Sequence, residues 1–128
     1  MDLRKSMILA AMILVGLAYL YAADITGKWN ASFDSQVGPQ KYVFDLKQDG
    51  VKLTGKAIST IGEPPANATS DLTEGKVEGD SISFVESLSY QGMDLKITYK
   101  GTISGDEIKF TRDVGGQGGE TFVAKRAK

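Results

Sequence analysis

The stretch SISFVESLSYQGMDLKITYKGTIS, residues 81–104, decides how this chain folds. On both sides of Gln91-Gly92, apolar residues alternate with polar ones at a period of two, as in half-buried strands. A two-residue turn there places Phe84 opposite Tyr99, and apolar side chains meet along most of the pair. A slip of one residue would turn Lys and Thr side chains inward. The stretch therefore predicts an antiparallel hairpin with one apolar face.

The same alternation continues along the rest of the chain from residue 25 onward. We expect eight strands, at Ile25–Phe33, Gln40–Gln48, Val51–Ser59, Asp71–Glu78, Ser81–Ser89, Met93–Ile103, Glu107–Asp113 and Glu120–Arg126. No long stretch has a helical period, and no long crossover separates consecutive strands. The expected fold class is all-β, an eight-stranded antiparallel up-and-down β-barrel, with a β-sandwich as the alternative.

The predicted connections differ at the two ends of the barrel. Tight turns are expected at one end, at Asp49-Gly50, Gly79-Asp80 and Gly105-Asp106. Longer connections are expected at the other, at Asp34–Pro39, Thr60–Ser70 and Gly115–Gly119. We interpret Thr60–Ser70 as a lid or an unstructured connection, and Gly115–Gly119 as a flexible rim loop. The pattern predicts a cup with a closed base and an open mouth.

Aromatic rings are predicted to fill the lower half of this cup. The three tight turns would place glycines opposite rings on the inward face, in the pairs Phe44 with Gly55, Phe84 with Gly75 and Phe110 with Gly101. A ring opposite a glycine lets a small barrel bend while its interior stays filled.

Residues 1–23 are predicted to lie outside the folded domain. Arg4 and Lys5 precede an apolar run, and the small residues Ala22 and Ala23 follow it, as in a secretory signal peptide. We therefore expect a signal peptide at 1–23, a β-barrel domain at 24–128, and a secreted or periplasmic location. An uncleaved anchor is the alternative, although the apolar run is shorter than the ~20 residues of a comfortable membrane span. We expect no stable membrane span after cleavage.

Composition argues against several functional classes. The 128 residues include neither Cys nor His, and the formal net charge is −1. Without Cys there are no disulfides or thiol nucleophiles, and without His the commonest general base and most zinc sites are missing. The weak charge offers no attraction to nucleic acid. We expect a protein that is not an enzyme and needs no cofactor or metal, with no nucleic-acid partner.

The first predicted strand contains the sequence ITGKW, residues 25–29. Its Gly27-x-Trp29 spacing resembles the signature of the calycins, the group of lipocalin-type barrels. The resemblance implies that Trp29 closes one barrel end and that a late basic residue, Lys125 or Arg126, packs over the indole. The runs QKYVFDLKQDG and DEIKFTRDVG also resemble a small secreted bacterial β-domain of undefined function, found alone or appended to carbohydrate-active enzymes and esterases.

Two charged residues, Glu86 and Arg112, interrupt the inward apolar faces. The predicted registers place Arg112 in one row with Tyr99, and Glu86 diagonal to Tyr99. Because isolated buried charges are costly, we expect Arg112 to reach Glu86 as an ion pair, with Tyr99 donating to the carboxylate. As a polar anchor, Arg112 would bind a carboxylate or hydroxyl of a ligand. A purely structural ion pair is the alternative.

Further candidate ligand contacts, Tyr42, Tyr90 and Met93, are predicted near the mouth, where rings and thioethers suit apolar or sugar-like molecules. The expected function is non-catalytic binding of a small, partly apolar or amphipathic ligand inside the barrel. The alternative is a structural or accessory module that contacts a protein, a polysaccharide or the cell envelope, for instance beside a secreted enzyme. An open cavity above Phe44 would favour the binding protein, and a filled interior would favour the module.

Overall fold

The computed structural model describes residues 24–127, so the predicted signal peptide lies outside the described residues. The strands are β1 (Gly27–Ser35), β2 (Gly38–Asp49), β3 (Lys52–Ile61), β4 (Ala66–Glu78), β5 (Ser81–Tyr90), β6 (Met93–Ser104), β7 (Glu107–Val114) and β8 (Thr121–Arg126). Each strand pairs with the next one, and β8 returns to β1 through Trp29 and Arg126. The predicted eight-stranded antiparallel barrel is confirmed. No helix in this part of the chain is long and apolar enough to cross a membrane.

The alternation of the sequence corresponds to the two faces of the barrel wall. In β2, Tyr42, Phe44 and Leu46 are buried inside, while Lys41 before them and Asp45 between the last two are exposed. Successive side chains of a strand point to opposite faces. The period of two therefore separates the core from the outer wall.

Two predicted hairpin registers are confirmed. Around Gln91-Gly92, Phe84 pairs with Tyr99, and around Gly105-Asp106, Gly101 pairs with Phe110. At Gly101 there is no room for a side chain, because an added Cβ would lie 2.8 Å from the ring of Phe110. This close approach of a ring to a strand backbone is the packing that the sequence predicted.

The predicted turn at Asp49-Gly50 is wrong by one residue. Asp49 pairs with Lys52, so the turn is Gly50-Val51, and Phe44 faces Ala57 instead of Gly55. Gly50 has a φ of 63°. A two-residue hairpin turn requires a positive φ at its first central residue, and glycine adopts it readily. The register moves by two residues, and an even shift leaves the same side chains inside.

The predicted pairing of Gly75 with Phe84 is also wrong. The β4–β5 register shifts between Thr73 and Lys76, and Glu74 has a φ of 53°. A bulge of this kind inserts an extra residue into one strand and bends it. Gly75 lies within this bulge on the β5 side, and on the β3 side it pairs with Leu53.

Two of the expected long loops are short. Gln36 and Val37 alone connect β1 to β2, and the β3–β4 connection is residues 62–65. The strands continue through most of the predicted loop Thr60–Ser70, because Thr60 pairs with Asn67 and Ile61 with Ala66. No long lid covers the mouth at this position.

The base of the barrel is closed by Trp29. Its side chain is fully buried, and its Nε1 donates a hydrogen bond to the carbonyl of Ile25 at 2.9 Å. The guanidinium carbon of Arg126 stands 4.4 Å from the centre of the indole, and Arg126 Nε is 3.1 Å from the Asp106 carboxylate. Of the two basic residues that the calycin resemblance implied, the one over the indole is Arg126, and Lys125 is exposed.

Candidate functional site

A cavity of about 410 Å³ occupies the end of the barrel opposite Trp29. Its walls combine apolar side chains with polar groups from the rim, and Arg112 lies among the residues that line it. The lining residues of β3, β5, β6 and β7 that are apolar or aromatic are Ile61, Leu88, Tyr90, Leu95 and Val114. This mixture suits a ligand that is partly apolar and carries a polar group.

Below the cavity the barrel is filled with aromatic rings. The ring centre of Phe44 lies 5.6 Å from that of Phe84 and 5.6 Å from that of Phe110, and Phe122 packs 5.5 Å from Phe110. These side chains are almost completely buried. The interior is therefore open at the mouth and packed toward the base. The open cavity expected of a binding protein and the filled interior expected of an accessory module are both present, at opposite ends of the barrel.

Glu86 lies between these regions and is completely buried. Its Oε1 accepts hydrogen bonds from the hydroxyls of Tyr99 at 2.7 Å and Tyr42 at 3.1 Å. Burial raises the pKa of Glu86, and the two hydroxyls and Arg112 oppose the shift. The predicted bond from Tyr99 to Glu86 is confirmed.

The two tyrosines remain protonated at ordinary pH. Burial, followed by the nearby carboxylate of Glu86, raises the pKa of Tyr42 to about 12. The same two causes raise the pKa of Tyr99 well above its ordinary value. Both hydroxyls can therefore donate to Glu86.

The predicted direct ion pair between Arg112 and Glu86 is wrong. Arg112 Nη1 lies 3.3 Å from the Tyr99 hydroxyl, so Tyr99 connects the guanidinium to the carboxyl. The ion-pair partner of Arg112 is Glu120, with 3.0 Å between Nε and Oε1. Arg112 pairs with Tyr99 across the β6–β7 ladder. The hydroxyl of Tyr99 therefore lies between the guanidinium of Arg112 and the carboxyl group of Glu86.

Neither Glu120 nor Gln40 was predicted from the sequence as part of this site. Thr111 pairs with Thr121, so an extension of the same antiparallel register by one residue brings Glu120 opposite Arg112. This pairing was open to prediction, since Glu120 begins the last expected strand. Gln40 is buried, and its Oε1 lies 3.4 Å from Arg112 Nη1, a contact between residues far apart in the sequence.

The guanidinium of Arg112 is enclosed by aromatic faces. Its central carbon lies 5.0 Å from the ring centre of Phe33 and 5.6 Å from those of Tyr42 and Tyr99. Burial lowers the pKa of Arg112, but the tyrosines and Glu120 outweigh burial, so the net shift is upward. Arg112 therefore carries a permanent positive charge at the cavity, with 3 % of its surface exposed.

The three residues predicted at the mouth occupy different positions. Tyr90 is partly buried and lines the cavity. Tyr42 is 1 % exposed and lies deeper, beside Glu86. Met93 is 61 % exposed at the β5–β6 turn and does not line the cavity. The structure thus brings together Arg112, Tyr99, Glu86 and Tyr42, with Tyr90 above them and Met93 apart.

The glycine-rich segment that follows β7 has internal order. The carboxylate of Asp113 accepts hydrogen bonds from the backbone N–H groups of Gly116 at 2.9 Å and Gly118 at 2.7 Å. Val114 N donates to Gly118 O at 3.0 Å. The predicted rim loop is thus a hydrogen-bonded turn whose residues Gln117, Gly118 and Gly119 line the cavity. Glu120 follows it directly, opposite Arg112.

Comparison of the chain with protein-family models, curated proteins and solved structures gives no match. The barrel itself, with Trp29 buried beneath Arg126, is compatible with a calycin-like fold. In the described range 24–127, no group of three or more Asp and Glu residues is placed to hold a metal ion. The site brings together the guanidinium of Arg112, two carboxyl groups, the Gln40 amide and two buried tyrosine hydroxyls beside an apolar wall.

Proposed function

We propose that this protein is a non-catalytic, lipocalin-like carrier that binds one small, partly apolar ligand at the open end of its barrel. The observation that carries the proposal is the buried Arg112 beside a cavity of about 410 Å³. Small-molecule sites have volumes of about 300–1,000 Å³ and combine an apolar wall with a few polar groups. Sequence features of residues 1–23 support a secreted or periplasmic location.

The polarity of the cavity favours one orientation of the ligand. Arg112 and Gln40 provide polar atoms on the inner side, and Leu88, Leu95 and Val114 provide apolar contacts. A polar head group would therefore point inward and an apolar part would point to the mouth. The head group can enter no deeper than the level of Arg112, because the rings around Phe44 fill the barrel below.

The test is native mass spectrometry, with lipid extraction, of protein purified from its own secretion route. We expect a co-purifying small molecule that is absent from Arg112→Gln, since this change removes the charge at the cavity. Lys109→Gln is the matched control, because Lys109 lies on the outer face of the same strand and is exposed. Retention of the molecule by Arg112→Gln would contradict the proposed site.

A second candidate function is favoured by the packed aromatic interior around Phe44, Phe84 and Phe110. A filled barrel needs no ligand, and it could serve as an accessory module that contacts a protein, a polysaccharide or the envelope. A mass without any bound molecule, together with a melting temperature unchanged by fatty acids, sterols and oligosaccharides, would favour this module over the carrier.

A further inference from the structure

The contact between Arg112 and Glu120 has an unusual geometry for a buried ion pair. The atoms Nε and Oε1 are 3.0 Å apart, yet both are buried and neither makes an aligned hydrogen bond. A buried polar atom without a hydrogen bond costs about 1–3 kcal/mol. Glu120 thus compensates the charge of Arg112 without satisfying its Nε–H group.

The two partners differ in how easily they reach water. The side chain of Arg112 is 3 % exposed, whereas that of Glu120 is 23 % exposed, and both line the cavity. A carboxylate beside solvent recovers its hydration when it rotates outward. The free-energy cost of separating the pair therefore comes mainly from leaving the buried charge of Arg112 without a partner. Another anion in place of Glu120 would remove that cost.

The backbone around Glu120 does not have to move for such a rotation. Arg112 N donates to the carbonyl oxygen of Glu120 at 2.9 Å, and Thr121 begins β8 directly after it. Asp113 holds the preceding glycine segment by two hydrogen bonds. The side chain of Glu120 takes no part in these bonds. Rotation about its single bonds is therefore enough to move its carboxylate away from the guanidinium of Arg112.

We infer that Glu120 determines the charge preference of the cavity by occupying the position on Arg112 that a ligand carboxylate would take. This inference rests on the proposed binding function and narrows it to one ligand class, amphiphilic monocarboxylates. Such a ligand binds by exchange: its carboxylate contacts Arg112 as Glu120 turns to solvent. With Glu120 in place, a second carboxylate at the same guanidinium would meet like-charge repulsion.

The test compares an amphiphilic acid with its uncharged analogue. Titration calorimetry with decanoate and with 1-decanol would be carried out on the wild-type chain, Glu120→Gln and Glu107→Gln. The last variant is the control, because it makes the same charge change on an exposed residue at the base of the barrel. We expect Glu120→Gln to bind decanoate on the order of tenfold more tightly than wild type, with binding of 1-decanol unchanged and Glu107→Gln like wild type.

Nuclear magnetic resonance provides a second measurement of the exchange itself. In the wild-type chain, decanoate should shift both the Arg112 Nε–H resonance and the Glu120 carboxyl carbon resonance. 1-Decanol should leave the Glu120 resonance in place. Glu120→Asp keeps the charge but shortens the side chain, so decanoate affinity should also rise in this variant, which covers the case in which Glu120→Gln fails to fold.

The outcomes distinguish this inference from the proposed function. Equal or weaker decanoate binding by Glu120→Gln, or equal changes for both ligands, would overturn the role of Glu120. If 1-decanol binds and decanoate does not bind to any variant, the cavity remains a binding site but the ligand class is wrong. If neither ligand binds to any variant, both the ligand class and the role of Glu120 are rejected, and the accessory module is favoured.

Discussion

The hydroxyl of Tyr99 donates a hydrogen bond of 2.7 Å to Oε1 of Glu86. The same hydroxyl accepts a bond from Arg112 Nη1 at 3.3 Å. A phenol that donates and accepts at once can connect a buried carboxyl to a buried cation. Tyr99 therefore links Glu86 to Arg112, which do not form a direct ion pair.

Replacement of Tyr99 by Phe should break this connection. One donor to Glu86 and one acceptor for Arg112 are lost, while the ring packing is kept. We expect the free energy of unfolding to fall by about 1–3 kcal/mol, measured by urea denaturation. Tyr90→Phe is the control, because the hydroxyl of Tyr90 has a long contact of 3.5 Å with Gln91. An equal loss of stability in both variants would contradict the role given to Tyr99.

Glu86 should make stability depend on pH in a defined direction. Burial raises the pKa of Glu86 above its ordinary value of 4.5, so the folded state retains the proton more strongly than the unfolded state. The favourable contribution of the protonated carboxyl is fully present below pH 4.5 and is lost as pH rises through the folded-state pKa.

Comparison with Glu86→Gln isolates this effect, because both proteins share every other titrating group. We expect Glu86→Gln to become more stable relative to wild type as pH rises from 4.5. The measurement is chemical denaturation of both proteins at a series of pH values. A stability difference that does not change with pH would show that Glu86 does not titrate as proposed.

Arg126 should stabilise the closed base through its contact with Trp29. The guanidinium carbon is 4.4 Å from the indole centre, and cation–π contacts of this kind contribute about 0.5–2 kcal/mol. Arg126→Ala should lower the unfolding free energy by at least that amount, since the bond to Asp106 is lost as well. Trp29 is the only tryptophan of the chain, so its fluorescence should also move to longer wavelength. Lys125→Ala, on the exposed neighbour, should change neither quantity.

Gly101→Ala should overpack the barrel. The new Cβ would lie 2.8 Å from Phe110 Cδ1 and 2.9 Å from Ile108 Cγ2. We expect a loss of about 1–3 kcal/mol in stability, measured by thermal and urea denaturation. The smaller side chain in the double variant with Phe110→Leu should restore part of the loss. If the double variant loses the sum of the two single effects, the ring of Phe110 is not the obstacle.

The alternation of the strands was enough to predict the barrel and the residues that face inward. Phe44 illustrates why this conclusion survives an error in detail. The predicted turn displaced its partner from Ala57 to Gly55, but the side-chain period is two, so the even shift left Phe44 inside. The hairpins at Gln91-Gly92 and Gly105-Asp106 were predicted correctly because their short turns and apolar faces indicate the same register.

The candidate site was predictable only in part. The sequence brought Tyr99 beside Arg112 and placed Glu86 nearby, because those positions follow from adjacent strands. It did not reveal Gln40 or the depth of Tyr42, since both depend on how the barrel closes and which side chains meet across its interior. Glu120 was missed because the register of the last two strands was not extended to it.

By itself, then, the sequence of this protein determined an all-β chain of eight strands, an apolar inner face and the charged residues that interrupt it. Those properties are local, because they follow from side-chain period and turn chemistry. The tertiary structure alone decided that Tyr99 separates Arg112 from Glu86, and that the aromatic rings leave a cavity at the mouth. Such contacts depend on the distances between side chains across a closed barrel, and no pattern along one strand encodes those distances.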